Sequence, residues 1–227
     1  MWRRARRRDG TPSVVKLRLG VLGGTFDPPH AGHLLAAVDS FEALKLERLL
    51  IVPAATQPLK AGSPAGASPA QRLAMTNLAF GGDTRFEVLS MEIDRGGLSY
   101  TADTLESVSA ANPDSELVLV AGTDALATFD RWDRPERILE LARIAGVQRD
   151  VAGGGAISGH LLRARGGVIP VTARRVDVSS SEIRRRLQEG QSARGFVAES
   201  VERYIAAVKL YRSERGIAPG CAVLSGD

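Results

Sequence analysis

A short apolar segment that ends in glycines and leads directly into a helical pattern constrains the fold of this chain more than any other feature. Residues 17–22 form the apolar segment, and the spacing of apolar residues over 32–44 predicts a helix. A continuous apolar run of this length is typical of a strand buried on both faces, as in a parallel sheet. We therefore expect the fold to begin with a buried strand, a glycine-containing loop and a helix.

The same alternation of strands and helices continues along the chain. Further strands are expected at residues 48–53, 86–91, 116–121, 143–148 and 168–171. Further helices are expected near residues 69–80, 101–111, 135–142, 180–188 and 198–211. Alternating elements of this kind favour an α/β fold, here a Rossmann-like, doubly wound parallel sheet with a small C-terminal helical part.

The length of 227 residues suits one catalytic domain, which we place at residues 17–212. Arginines crowd the first eight residues, so 1–16 are expected to form a disordered basic extension, and 213–227 a flexible tail. No apolar run reaches the length of a membrane span, and no apolar core of a secretory signal follows the arginines. The single cysteine, Cys221, excludes an internal disulfide and a cysteine-based zinc site. We expect a cytoplasmic protein with no membrane partner.

The loop between the first strand and the first helix is dense in residues that bind anions. It reads Gly23-Gly-Thr-Phe-Asp-Pro-Pro-His-Ala-Gly-His33, at the edge of the sheet where ligands bind in such folds. Glycines let backbone N–H groups approach an anion, and the helix start adds N–H donors and a favourable dipole. His30 and His33 fall on one side of the helix, with room left between them by Gly32. The pattern predicts a polyphosphate cradle.

Two alternatives remain for this pair of histidines. They could only cap the helix, or they could bind a metal ion together with Asp27. The HExxH pattern of helical zinc sites is absent, which argues against the metal.

A second candidate phosphate loop lies near the other end of the chain, at Val178-Ser-Ser-Ser-Glu-Ile-Arg184. Ser179 and Glu182 have the spacing of a capping box, so the serine hydroxyls and the free N–H groups can face an anion. Arg184, one turn into the helix, can bind phosphate oxygens with its planar fork. Taken alone, the segment could be an ordinary helix start.

The first loop resembles the G-(G/S)-(S/T)-F-(D/N)-P-x-H-x-G-H element of the nucleotidyltransferase superfamily that includes nicotinate mononucleotide adenylyltransferases. The second loop resembles the I-S-S-T-x-I-R element of the same superfamily, and Gly122-Thr-Asp124 its G-x-D element. The resemblance implies in-line attack of a mononucleotide phosphate on ATP, with His30, His33 and Arg184 as catalytic residues. The implied ATP-binding residues are Gly23, Gly24, Thr25, Phe26, His30, His33, Gly122, Asp124, Ser179, Ser180, Ser181 and Arg184.

The middle of the chain carries the resemblance that indicates the acceptor. Residues 92–105, Glu-Ile-Asp-Arg-Gly-Gly-Leu-Ser-Tyr-Thr-Ala-Asp-Thr-Leu, resemble a stretch of the bacterial nicotinate mononucleotide adenylyltransferases. This implies that Tyr100 and Thr101 line the pyridine pocket and that Trp132 stacks on the pyridine ring. The alternatives are that Ser99 or Thr101 only caps a helix, and that Trp132 is a core residue.

Two family elements are altered in this chain. Leu59 stands where the family has the histidine of P-P-H-(K/R), with Lys60 kept as an expected phosphate contact. The family's R-P-G turn is also altered, and it leaves Arg149 as a candidate contact for the mononucleotide phosphate.

We therefore expect an enzyme of NAD biosynthesis that uses ATP and nicotinate mononucleotide, with Mg²⁺ held mainly by the ATP phosphates and no protein metal ligand. A phosphopantetheine-type adenylyltransferase is the alternative enzyme, against which His30 and residues 99–101 argue. A nucleic-acid-binding module that uses the basic arm would explain neither loop, so no nucleic-acid partner is expected. A homo-oligomer stays open.

Overall fold

A computed structural model describes residues 17–60, 66–148, 159–161 and 166–212. The expected basic extension, the expected tail and the glycines at 153–155 lie outside these residues. The described part contains a six-stranded sheet in which all neighbouring strands are parallel. Its strands are β1 (Leu17–Gly24), β2 (Arg48–Pro53), β3 (Phe86–Val88), β4 (Ser115–Gly122), β5 (Ala142–Gln148) and β6 (Val168–Thr172).

The strand order is β3-β2-β1-β4-β5-β6, which is that of a doubly wound Rossmann sheet. The predicted α/β class is therefore confirmed. The order reverses between β1 and β4, because the chain passes to one side of β1 first and returns to its other side. A crevice opens at such a switch point, beyond the carboxyl ends of the two strands. Gly24 and Gly122 end these strands, so two of the three predicted ATP-binding segments lie at the crevice.

Helices connect the strands and cover both faces of the sheet. They are α1 (Ala31–Leu44), α2 (Pro69–Phe80), α3 (Met91–Arg95), α4 (Thr101–Ala111), α5 (Thr123–Leu126), α6 (Pro135–Leu141), α7 (Ser180–Gln188) and α8 (Glu199–Ala207). Short 3-10 turns lie at Pro58–Lys60 and Phe129–Arg131. None of the helices in the described ranges is both long and apolar enough to cross a membrane.

Alternate residues of each strand enter opposite cores. Leu19 and Val21 of β1 pack in one cluster with residues of α4 and α6, whereas Leu22 packs in a second cluster with residues of α1 and α2. Strands buried on both faces read as continuous apolar runs, which is why the sequence pattern located them.

The small C-terminal helical part has a core of its own. Ile183 of α7, with Val201 and Ile205 of α8, packs against Met75 of α2 in a third cluster. This cluster lies beside the second phosphate loop, since Val178 also belongs to it. The predicted C-terminal helical part is therefore confirmed, and it is fastened to the sheet through α2.

Two predicted elements are wrong at their ends. The strand expected at 86–91 ends at Val88, and α3 begins at Met91. The Ser90 hydroxyl donates to the Asp94 carboxylate, which favours a helical turn over an extended chain. The helix expected at 198–211 ends at Ala207, because Lys209 and Tyr211 adopt positive φ angles.

A substitution of Gly20 in β1 tests how tightly the core packs against the sheet. A Cβ atom there would lie 2.5 Å from Leu46 Cδ1 and 2.6 Å from Leu49 Cδ1, and both leucines are buried. We expect Gly20→Ala to lower the free energy of unfolding by about 1–3 kcal/mol, the usual cost of overpacking a core. The measurement is urea unfolding, with Gly82→Ala as control because Gly82 has open space around its Cβ position. Equal stability of the two variants would contradict this packing.

Candidate active site

The first phosphate loop ends in a helix cap built from the two predicted histidines. His30 is the N-cap residue of α1, and its Nδ1 accepts a hydrogen bond from the Gly32 N–H at 3.1 Å. The His33 Nδ1 accepts from the His30 N–H at 3.3 Å, which completes a capping box. Because Nδ1 is the acceptor in each ring, the proton of the neutral imidazole is on Nε2. The cap thus sets the tautomer of both histidines.

The two imidazole rings lie close together. Their centroids are 3.9 Å apart, and the ring of His33 also contacts the edge of Phe26 at 5.0 Å. A Cβ atom on Gly32 would lie 3.0 Å from His30 Cε1, so the glycine leaves the space that this ring occupies. The pair therefore caps the helix and also forms a compact set of donors, so the two interpretations of the histidines are compatible.

The second phosphate loop lies directly on the first. Ser179 is the N-cap residue of α7, and its side chain accepts from the Glu182 N–H. The Ser180 hydroxyl donates to the Pro28 carbonyl at 2.9 Å, and Arg184 Nη1 donates to the Asp27 carbonyl at 2.8 Å. Two segments about 150 residues apart in sequence thus meet at one edge, where the sequence predicts that phosphates bind.

The other predicted ATP contacts lie around this edge. Gly122 is the N-cap residue of α5, and Asp124 is exposed in the first turn of that helix. Ser181 accepts a hydrogen bond from Arg184 Nη2 at 3.2 Å. The side chain of Phe26 is only 1% exposed, so this residue can meet a ligand chiefly through its backbone. Thr25 donates its hydroxyl proton to Gln57 Oε1 at 3.0 Å, which joins the loop to the segment after β2.

The predicted acceptor segment is held by a buried carboxylate. Glu92 accepts a hydrogen bond from the Thr104 hydroxyl at 2.5 Å, and burial raises the pKa of Glu92 although hydrogen bonds from Thr104 and Ser99 oppose the shift. The Ser99 oxygen accepts from the Ala55 N–H at 2.9 Å. The start of α4 is therefore fixed against the end of β2.

Tyr100 is the N-cap residue of α4 and Thr101 its first residue, with no side-chain cap at this helix. The alternative that Ser99 or Thr101 caps the helix is therefore wrong.

Trp132 lies half-buried after the 3-10 turn at Phe129–Arg131, and its ring contacts Phe129 at 5.2 Å. Its segment is close to the acceptor segment, because Arg134 pairs with Asp103 in the first turn of α4. Trp132 also packs against the first core cluster, so one face of the residue belongs to the core.

Two further residues, Lys60 and Arg149, were predicted to contact the mononucleotide phosphate. Lys60 closes the 3-10 turn that follows β2, and Leu59 beside it is 47% exposed. Arg149 lies outside the described residues.

Known proteins match this architecture. The cytidylyltransferase-like family profile matches residues 21–186. A protein of Gemmatimonas aurantiaca named "Probable nicotinate-nucleotide adenylyltransferase" is 46% identical over 201 residues, covering 86% of this chain and 93% of that protein. This chain belongs to the nicotinate-nucleotide adenylyltransferase family.

Solved structures of such adenylyltransferases share the fold. The Plasmodium falciparum nicotinic acid mononucleotide adenylyltransferase complexed with APC has a TM-score of 0.67 at 17% identity, covering 86% of this chain and 97% of that one. The structure of the same enzyme complexed with NaAD has a TM-score of 0.66 at 16% identity, with the same coverage.

Several residues that organise the adenylyltransferase site were missed as site residues. Arg72 of α2 is 1% exposed and donates to the carbonyls of Thr25, Ala54 and Ala55 at 2.5–2.8 Å. Its signal was a charged residue among the apolar positions of a predicted helix. Asp27 and Glu92 belong to the motifs quoted above but were not assigned a role in the site. Nothing in the sequence around Tyr211 indicated a role in the site.

A group of three or more histidine, cysteine or carboxylate residues able to hold a metal ion does not occur in the described part of the chain. Asp27 is occupied by other contacts, since its carboxylate accepts the N–H groups of Gly66 and Ala67. The alternative of a metal site built from Asp27 and the two histidines has no support.

A histidine outside both loops fastens the turn that carries Trp132. The two ring nitrogens of His160 lie 2.5 Å from Asp130 Oδ1 and 2.9 Å from Glu136 Oε1. Only an imidazolium can donate from both nitrogens. Hydrogen bonding to Asp130, and then to Glu136, raises the pKa of His160. The next residue, Leu161, is buried in the first core cluster.

This contact should make stability depend on pH. Because the pKa of His160 is higher in the folded state, its contribution is complete below the ordinary value of 6.5 and is lost as pH rises through the raised pKa. We expect His160→Gln to lower Tm below pH 6.5, and the difference from wild type to shrink at alkaline pH. Thermal melting across this range checks it, with Glu189→Gln as a surface control. Melting curves that differ equally at all pH values would contradict the assignment.

Proposed function

We propose that this chain transfers the AMP part of ATP to the phosphate of nicotinate mononucleotide, which gives nicotinate adenine dinucleotide and pyrophosphate in NAD biosynthesis. The observation that carries the proposal is the contact between the two phosphate loops. Ser180 and Arg184 bind the backbone of the first loop, so the starts of α1 and α7 meet at one place. Family membership supplies the substrates.

The geometry supports direct transfer between the two nucleotides. We infer that His30 and His33, at the start of α1 next to the loop that Arg184 binds, donate to the phosphates, and such donors stabilise the charge that develops on departing pyrophosphate. The attacking group is a phosphate oxygen of the mononucleotide, so no protein nucleophile is required. The protein's contribution is to position both phosphates and to stabilise charge.

Mg²⁺ is proposed to arrive bound to the ATP phosphates. Its preferred ligands are oxygen atoms and water, which phosphate groups supply. The hydrogen-bonded state of Asp27 fits this proposal, since the carboxylate in the first loop already accepts two backbone N–H groups. The ion would neutralise phosphate charge, while the histidines and Arg184 orient the chain of phosphates.

The acceptor pocket is proposed to lie between Tyr100, Thr101 and Trp132. The ion pair of Arg134 with Asp103 supports it, because it brings the tryptophan segment to the start of α4. An aromatic face suits a flat, electron-poor pyridine ring. Phosphate contacts from Lys60 and Arg149, like a cytoplasmic location and any homo-oligomer, stay predictions of the sequence.

Comparison of acceptors tests the proposed reaction. Pyrophosphate release from ATP and Mg²⁺ is measured with nicotinate mononucleotide, nicotinamide mononucleotide or phosphopantetheine, and the kcat/KM values are compared. We expect nicotinate mononucleotide to give the highest value. Turnover with phosphopantetheine alone would agree with the transfer chemistry but contradict the pyridine pocket. No turnover with any acceptor would contradict the proposed function.

A substitution in the histidine pair tests the catalytic role. We expect His33→Ala to lower kcat by two to three orders of magnitude, in line with about 3–4 kcal/mol for one donor to the transition state. Ser40→Ala, in the same helix, is the control, because the buried Ser40 hydroxyl has no hydrogen-bond partner among the described residues. A folded His33→Ala protein with near-normal turnover would contradict the mechanism.

A further inference from the structure

The side chain of Asp27 is the most heavily bound group at the junction of the two phosphate loops. It is 3% exposed, and its two oxygens accept the N–H groups of Gly66 and Ala67 at 2.7 and 3.1 Å. Oδ2 lies 3.5 Å from Arg184 Nη1, which also donates to the Asp27 carbonyl. One residue of the first loop therefore holds the arginine of the second loop by both its backbone and its side chain.

The remaining hydrogen bond to this carboxylate comes from the far end of the described chain. The Tyr211 hydroxyl donates to Asp27 Oδ1 at 2.7 Å. Burial raises the pKa of Tyr211, and its hydrogen bond to Asp27 raises it further, so the hydroxyl keeps the proton that it donates. Tyr211 reaches this position because α8 ends at Ala207 and the following turn directs the ring into the third core cluster.

A buried positive charge lies behind the same carboxylate. Burial lowers the pKa of Arg72, and the negative charge of Asp27 opposes that shift. The bonds of Arg72 go to three backbone carbonyls, one of them that of Thr25. Since a trans peptide holds C=O and N–H in opposite directions, this bond directs the Phe26 N–H away from Arg72. Asp27 therefore interacts with two arginines, electrostatically with buried Arg72 and by direct contact with Arg184.

We propose that Tyr211 is a positioning residue for nucleotidyl transfer, which acts through Asp27 to hold the guanidinium of Arg184 at the ATP-binding edge. The inference rests on the proposed function for its ligand. Tyr211 touches neither substrate, and its hydroxyl fixes the carboxylate that orients the arginine.

The positions of these residues predict which substrate loses affinity when Tyr211 is changed. In the proposed function Arg184 and the two histidines bind the triphosphate, whereas the acceptor segment is held by Glu92, Ser99 and Thr104. A displaced Arg184 weakens the contact with ATP and leaves the acceptor contacts in place. A purely structural role of Tyr211 would instead lower Tm and affect both substrates together.

The test removes the hydroxyl alone. We expect Tyr211→Phe to weaken Mg²⁺–ATP binding by about 5- to 20-fold, with unchanged affinity for nicotinate mononucleotide. The loss is smaller than the roughly 10- to 150-fold value of a hydrogen bond to a charged group, because the hydroxyl acts on ATP only through Asp27 and Arg184. Binding is measured by calorimetry on the full chain, and KM for each substrate by pyrophosphate release. Tyr204→Phe is the matched control, a half-buried tyrosine of α8 that packs against the same core cluster.

A second variant disturbs the same contact from outside the core. A Cβ atom on Gly66 would lie 3.0 Å from Arg184 Cδ and 3.1 Å from the Tyr211 ring. Gly66 is exposed and lies outside the third core cluster, so the added methyl reaches that cluster only at the ring of Tyr211. We expect it to weaken ATP binding and not acceptor binding, even if Tyr211→Phe fails to fold.

A double-mutant cycle decides whether Tyr211 acts through the arginine. Tyr211→Phe should lower the free energy of ATP binding in an Arg184→Lys background by less than half as much as it does in the wild-type protein. Additive effects, an equal loss of affinity for both substrates, or ATP affinity within about twofold of Tyr204→Phe would each overturn the proposal. Lack of turnover by the wild-type protein would contradict the proposed function. The ATP-binding measurements would still test the role of Tyr211 in that case.

Discussion

The contact between the first and second phosphate loops is the interaction on which the rest of this site depends. Neither loop alone surrounds a triphosphate, because each offers one helix start and a few side chains. The bonds from Ser180 to Pro28 and from Arg184 to Asp27 align the starts of α1 and α7. In the proposed function the dipoles of both helix starts act on one anion, while the N–H groups of Ala31, Gly32 and His33 already donate to Phe196 and His30. The sheet brings the loops near each other, and these bonds set their final distance.

Burying charge at this junction has a cost that the surrounding contacts offset. Asp27 accepts bonds from two backbone N–H groups and from Tyr211, and it lies between two arginines. Arg72 donates to three backbone carbonyls rather than to a carboxylate, and its buried Nε has no hydrogen-bond partner among the described residues. A charge kept in this way beneath a loop favours negative charge above it. The buried arginine therefore suits a site that receives phosphates.

The sequence was most informative where one short segment carries its own signal. The buried strands appear as apolar runs, and the helix expected at 69–80 agrees with α2, so their positions were predicted closely. The turn to Tyr211 was not, since nothing in the local pattern requires positive φ at Lys209. The pairing of Tyr211 with Asp27 joins residues that are 184 positions apart, and only the folded chain brings them together. The motifs predicted which residues gather at the edge, but not what supports them.

The two halves of the site depend on different parts of the fold. The proposed acceptor side is built around residues 92–104, where Glu92 binds Thr104 and the Ser99 oxygen accepts from the Ala55 N–H after β2. The ATP side combines the first loop, the segment at Gly66, α2 and the C-terminal part. Destabilising the C-terminal helices should therefore weaken ATP binding before acceptor binding, because Arg184 and Tyr211 both belong to the C-terminal part. In the proposed function, the contacts of Arg184 and Tyr211 with Asp27 therefore link the third core cluster to the positioning of the triphosphate.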